Sequence, residues 1–102
     1  MHVQINTDNH IEGREALATR VEAVVQESLR RFSDQITRVE VHLSDENSHK
    51  GGDDKRCMME ARLEGRRPTA VTHQAATLDQ AIDGAADKLQ RSIESTLGRL
   101  RG

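Results

Sequence analysis

Lys88, Arg91 and Arg99 are spaced to gather on one flank of a helix, and Asp79, Asp83, Asp87 and Glu94 fall on the other, if each residue advances about 100° around the axis. The stretch from Arg14 to Phe32 is sorted in the same way: Arg20 and Arg31 share a flank with Glu27 between them, and Glu15 and Glu22 lie opposite. A lane of cations can hold phosphates, and each phosphate it neutralises releases counterions, so binding of this kind is salt-sensitive. A simpler explanation competes with this one. Acids early and bases late in a helix suit its macrodipole, and two parallel helices of the same sidedness set an acidic flank against a basic one, giving exposed ion pairs of little energy. On charge alone the ion-pair reading takes precedence.

Other reactive residue types form no recognisable constellation. His2, His10, His42, His49 and His73 show no two-ligand spacing on a helix, and Cys57 stands outside any CxxC, so no metal and no cofactor are expected. His73 reads as a hydrogen-bonded strand residue and Cys57 as a small core residue. There is no P-loop, no GxGxxG and no GxSxG, and the carboxylates fall on solvated helix flanks, so the chain is expected not to be an enzyme. Arg66 and Arg67, beside Pro68, could touch phosphate from a turn. An exposed turn with two arginines more often serves solubility, as do Lys55 and Arg56 beside Asp53 and Asp54.

The totals narrow the choice. With 102 residues the chain has room for one domain, 1–102, and one core. Phe32 is the only aromatic, so that core is aliphatic, and stacking on exposed bases is not available to a sheet surface. One cysteine points to a reducing compartment, and Met1 leads into "HVQIN" without the pattern of a leader or a membrane span. A cytoplasmic location, with no membrane partner, is expected. The formal charge of −2 argues against binding nucleic acid by bulk electrostatics, so a polyanion site must come from local segregation.

The elements that would position these residues follow from periodicity. Val3 and Ile5 in residues 2–7, Val39, Val41 and Leu43 in 37–44, and Cys57, Met59, Ala61 and Leu63 in 55–64 alternate as half-buried strands do. A fourth strand over 69–75 points Thr69, Val71 and His73 inward. From Arg14 to Phe32, Leu17, Val21, Val24, Val25, Leu29 and Phe32 recur at steps of three and four, which predicts a helix behind a glycine N-cap, Gly13. Thr77 with Gln80 three positions on forms a capping box. It opens a second helix whose stripe of Leu78, Ile82, Ala85, Ala86, Leu89, Ile93, Leu97 and Leu100 runs nearly to the end. Residues 45–54 read as a long polar connection and 65–68 as a turn. The predicted class is α+β, ordered β-α-β-β-β-α: a four-stranded mixed sheet with two parallel helices packed on one face.

"AID" at 81–83 followed by "DKLQR" at 87–91 resembles the last helix of the ribosome hibernation factor family, the short ribosome-associated inhibitors of translation. "QINTDNHIEGREAL" at 4–17 is similar to that family's first strand and helix start, and "RVEVHLSDEN" at 38–47 to its second strand. The likeness covers essentially the whole chain and is to the short form. It implies a protein that sits on the RNA of the small ribosomal subunit, in the mRNA and tRNA channel, and inhibits translation by steric occlusion during stress or stationary phase. Carried over by position, Lys88 and Arg91 match basic positions of the last helix, and Arg99 and Arg101 stand in its basic tail. Arg20 and Arg31 come from the charge lane alone.

The expected partners are therefore the small subunit and its rRNA, not DNA, with the protein itself a monomer or alternatively a homodimer. A second function remains open: a divergent, non-ribosomal protein-interaction module or homodimer of the same fold. The negative charge, and Val24 and Glu27 where relatives tend to carry lysine, motivate it.

Overall fold

The computed structural model describes residues 1–8, 11, 13–45 and 55–101, with backbone alone for 99–101. The alternating stretches become β1 (His2–Thr7), β2 (Ile36–Asp45), β3 (Lys55–Leu63) and β4 (Thr69–Ala75), joined in one sheet in the order β1-β2-β3-β4. β1 runs parallel to β2, with Val3 opposite Val39 and Ile5 opposite Val41, while β2–β3 and β3–β4 are antiparallel. A parallel neighbour requires a crossover, and α1 (Arg14–Ser28) supplies it; α2 (Leu78–Arg101) follows β4. Both helices lie on one face, over a core in which Val21, Val39, Val41, Met59, Leu89 and Ile93 are fully buried. This is the α+β order and mixed sheet expected from periodicity.

Four details differ from the sequence reading. The first helix stops at Ser28 rather than continuing to Phe32, and a 3₁₀ segment, Arg30–Gln35, takes over. Leu29 N–H still bonds to Val25 O at 3.0 Å and Phe32 N–H to Leu29 O at 2.9 Å, so the tighter turn keeps Phe32 in the core while redirecting the chain into β2. Val24 is only half-buried. Ile11, an isolated apolar residue in a polar stretch, is 5% exposed and joins the core. Ile36, Ala75 and Ala81 are core residues as well. At α2 the Thr77 hydroxyl accepts the Gln80 N–H at 3.1 Å, the forward half of the expected capping box. Most of the predicted polar connection, residues 46–54, lies outside those described.

The sheet's other face is polar. Register sets Arg38 opposite Arg62 and Glu40 opposite Glu60, pairings that repel when like charges face each other. Each repulsion is relieved along its own strand, with Arg38 Nη2 2.7 Å from Glu40 Oε1 and Arg62 Nη2 3.7 Å from Glu60 Oε1. Arg38 also donates to Gln4 Oε1 on β1.

Connectivity fixes which parts share an end of this 48 × 24 × 20 Å molecule. β2 and β4 begin, and β3 finishes, at one end, since Ile36 pairs with Leu63 and Thr69 with Ala61. Both helices start at the far end and run back toward this one. The 3₁₀ segment, the β3–β4 turn and the last turn of α2 therefore share one pole. The opposite pole holds Asp8, Asp45 and the helix starts; there Asp45 N–H donates to Asp8 Oδ2 at 3.0 Å.

Candidate nucleic-acid interface

α2 decides where its cations go, because its apolar stripe must face β3, β4 and α1 at once. Ala81, Ala85, Leu89 and Ile93 are fully buried. The flank carrying Lys88 then falls along β4, the sheet's edge strand, and Lys88 Nζ donates to Thr72 O at 2.9 Å. Lysines placed at an edge in this way also guard it against pairing with another chain. Gly84, one turn before Lys88, passes against His73. A Cβ at Gly84 would stand 2.1 Å from His73 Cδ2, so the bare backbone is what lets α2 settle on β4.

The acidic flank of α2 faces α1. Arg20 Nε lies 2.8 Å from Asp79 Oδ1, with the two side chains 52% and 61% exposed. Asp79 and Lys88 are nine residues apart, about 180° around the helix, so Arg20 and Lys88 stand on opposite sides of α2. Arg91 points outward between them and pairs with Asp87 one turn earlier, Nη2 to Oδ2 at 2.8 Å. Arg31 sits in the 3₁₀ segment with its guanidinium 5.2 Å from the centre of the Phe32 ring. The structure brings Lys88 and Arg91 together along one side of α2 and leaves Arg20 in the seam between helices and Arg31 at the pole. Arg99 and Arg101 belong to the last turns of α2, and their side chains lie outside those described.

Pairing with carboxylates does not remove these arginines from use. Exposed ion pairs contribute about 0–1 kcal/mol, less than a charge-assisted, bidentate phosphate contact offers, so a phosphate can take the carboxylate's place.

Among the described residues no enclosed cavity is present, and no group of three His, Cys, Asp or Glu side chains is placed to hold a metal. Cys57 is fully buried, and burial pushes its thiol up to about 12, so it stays protonated and poorly nucleophilic at neutral pH.

Residues 3–101 match the family model described as sigma 54 modulation protein / S30EA ribosomal protein. The chain belongs to this family. A search of curated protein sequences gives no match. Among solved structures, the N-terminal domain of Protein Y from Thermus thermophilus superposes with a TM-score of 0.75 at 24% identity, covering 94% of this chain and 99% of that one. A ribosomal subunit interface protein from Coxiella burnetii gives 0.72 at 16% identity, covering 96% and 99%. At these identities the two structures establish the fold, and the family model establishes membership in a group of ribosome-associated modulation factors. Within the described residues, no helix of this family member is long and apolar enough to cross a membrane.

Proposed function

We propose that the protein binds the RNA of the small ribosomal subunit in the mRNA and tRNA channel and inhibits translation there by steric occlusion, acting in the cytoplasm during stress or stationary phase. The family match over residues 3–101 carries this reading, and the likeness of this chain's fold to that of a ribosomal subunit interface protein supports it. Lys88 and Arg91 serve as phosphate contacts along α2, Arg99 and Arg101 extend them, and Arg20 and Arg31 contribute from α1 and the 3₁₀ segment. The rigid sheet and aliphatic core keep these cations at fixed spacing, so ordering them costs less entropy on binding. The protein performs no chemistry and needs no cofactor.

Cosedimentation with isolated small subunits across a salt series tests the proposal. Binding is expected to weaken steeply between about 50 and 200 mM salt, and each phosphate contact removed should lower the slope of log affinity against log salt by about 0.7–0.9. Lys88→Gln with Arg91→Gln is expected to lower it by roughly twice that amount and to relieve inhibition in a cell-free translation assay. Absence of salt-sensitive association with the subunit refutes the proposal. The ion pairs of Arg20 and Arg91 with Asp79 and Asp87 favour the second reading, a protein-interaction module or homodimer. Capture of one protein partner, or concentration-dependent dimerisation, without ribosomal RNA would establish that reading instead.

A further inference from the structure

Among the described residues, Arg14 at the start of α1 and Lys88 on α2, whose Nζ bonds to Thr72 O, have no carboxylate partner, and a denser group of such cations lies off the long helices. Among the described residues, Arg20, Arg30, Arg38, Arg62 and Arg91 each have a carboxylate partner. Arg31, Arg66 and Arg67 are exposed, and among the described residues no carboxylate pairs with them. All three lie at the pole where the 3₁₀ segment meets the β3–β4 turn.

Two features make this a built surface rather than a loose loop. In the turn, Arg66 N–H bonds to Leu63 O at 3.1 Å and Gly65 has φ of 71°, with Glu64 on the negative side. This is the type II geometry that needs glycine at its third position. Pro68 then restricts the backbone directly after Arg67. Next, Glu64 N–H bonds to Gln35 O at 2.9 Å, tying the turn to the segment that carries Arg31. Arg31 is itself steadied over the Phe32 ring, which is 7% exposed. Asp34 and Glu64 lie on the same two segments, but neither forms an ion pair with these arginines among the described residues. α2 is about 36 Å long against about 23 Å for β4, so its last turns, bearing Arg99 and Arg101, run out past this turn.

We propose that Arg31, Arg66 and Arg67 form a second phosphate-binding surface, at the pole of the molecule, that takes the sugar-phosphate backbone of structured RNA. The inference rests on the ribosomal reading above and adds contacts from a strand turn that lies off both helices. Arginine suits the task because its planar fork meets phosphate oxygens bidentately. The lack of stacking aromatics means the surface reads backbone and shape, not sequence. At the opposite pole Asp45 is paired with Lys55 and Asp79 with Arg20, so the charges there are largely matched.

The test is the salt dependence of binding to isolated small subunits for the full chain, with Arg66→Gln/Arg67→Gln, the charge-preserving Arg66→Lys/Arg67→Lys, and Arg14→Gln at the opposite pole as control. The double glutamine variant is expected to lower the salt slope by about 1.4–1.8 and affinity by tenfold or more, the double lysine variant to keep the slope, and Arg14→Gln to change neither. An unchanged slope and affinity in the glutamine variant overturns the polar surface while the ribosomal reading stands. Equal loss of affinity in the glutamine and lysine variants at unchanged slope shows a shape or protein contact and also overturns it. A parent protein that associates with no subunit at any salt overturns both.

Discussion

Gly84→Ala probes how α2 is seated on the edge of the sheet. The added Cβ would stand 2.1 Å from His73 Cδ2, 2.4 Å from Nε2 and 2.5 Å from Cγ. Carbon atoms pack at about 3.5–4.0 Å, so the imidazole must withdraw by more than about 1 Å. It has no room beneath, because His73 pairs across the strands with Cys57, and Cys57 and Met59 are fully buried. Either the ring swings outward or α2 lifts from β4, loosening Ala81 and Ala85, both now fully buried. Overpacking of this kind costs about 1–3 kcal/mol, while replacing glycine by alanine inside a helix contributes about 0.8–1.0 kcal/mol. The expected result is a net loss of about 1 kcal/mol, or a fall in Tm of about 4–8 °C for a domain of this size. Urea unfolding of Gly84→Ala, His73→Ala and the double variant gives the coupling directly. In the His73→Ala background the alanine at 84 should stabilise, so the coupling energy should exceed about 1 kcal/mol. If Gly84→Ala alone raises stability by the full helix increment, and adds to His73→Ala without coupling, the close approach of ring and helix is refuted.

Other perturbations have smaller or more specific effects. A double-mutant cycle on Arg20→Gln and Asp79→Asn should give less than about 1 kcal/mol and shrink in salt; a coupling above about 2 kcal/mol would contradict an exposed pair. Asp79→Asn alone should strengthen small-subunit binding by releasing Arg20, and unchanged affinity would remove Arg20 from the interface. Thr77→Ala should cost about 1 kcal/mol in thermal unfolding, because the hydroxyl that accepts the Gln80 N–H is lost. For Cys57 the folded thiol is raised from 9.0 to about 12 by burial. The neutral thiol's contribution is therefore complete below pH 9.0 and is lost as pH rises from there toward 12. Cys57→Ala should accordingly flatten the alkaline fall in urea stability, and an unaltered fall would place that loss elsewhere.

Most of the architecture was legible because each element carries its own period. Val39, Val41 and Leu43 alternate cleanly, and the long stripe of α2 admits one face only. The fourth strand, with Thr69, Val71 and His73 inward, has little apolar content, yet pairing with β3 holds it through backbone bonds that do not depend on side-chain type. The end of α1 was not legible for a related reason: Leu29 and Phe32 are three apart, a spacing that α and 3₁₀ turns both satisfy, so hydrophobic pattern alone cannot say where one becomes the other. Ile11 gave no periodic signal, and only the return of the chain from β1 to α1 brings it inside.

Charge was less legible than packing, and the reason is geometric. A helical projection sorts cations and anions around one axis but does not say what lies beside each flank. It grouped Lys88 with Arg91 on α2, yet it could not show that Asp79 would meet Arg20 or that Lys88 would reach the carbonyl of Thr72. Those neighbours follow from strand order, since α2 lies between α1 and the free edge of β4. Strand order also creates an arrangement that no single-helix projection contains. Two parallel helices and a β-turn finish at one pole, so arginines more than thirty residues apart in sequence, Arg31 and Arg66, come to share a surface. Around the helices Arg20 and Arg91 are engaged by carboxylates and Lys88 by a carbonyl, whereas at the pole Arg31, Arg66 and Arg67 have no carboxylate partner among the described residues, although Arg30 beside them pairs with Glu27. If binding to RNA is set by unpaired cations, neutralising the turn should reduce the salt slope at least as much as neutralising the flank of α2. The reverse ranking would mean that phosphates readily displace Asp87 from Arg91, and that the helix flank dominates despite its ion pair.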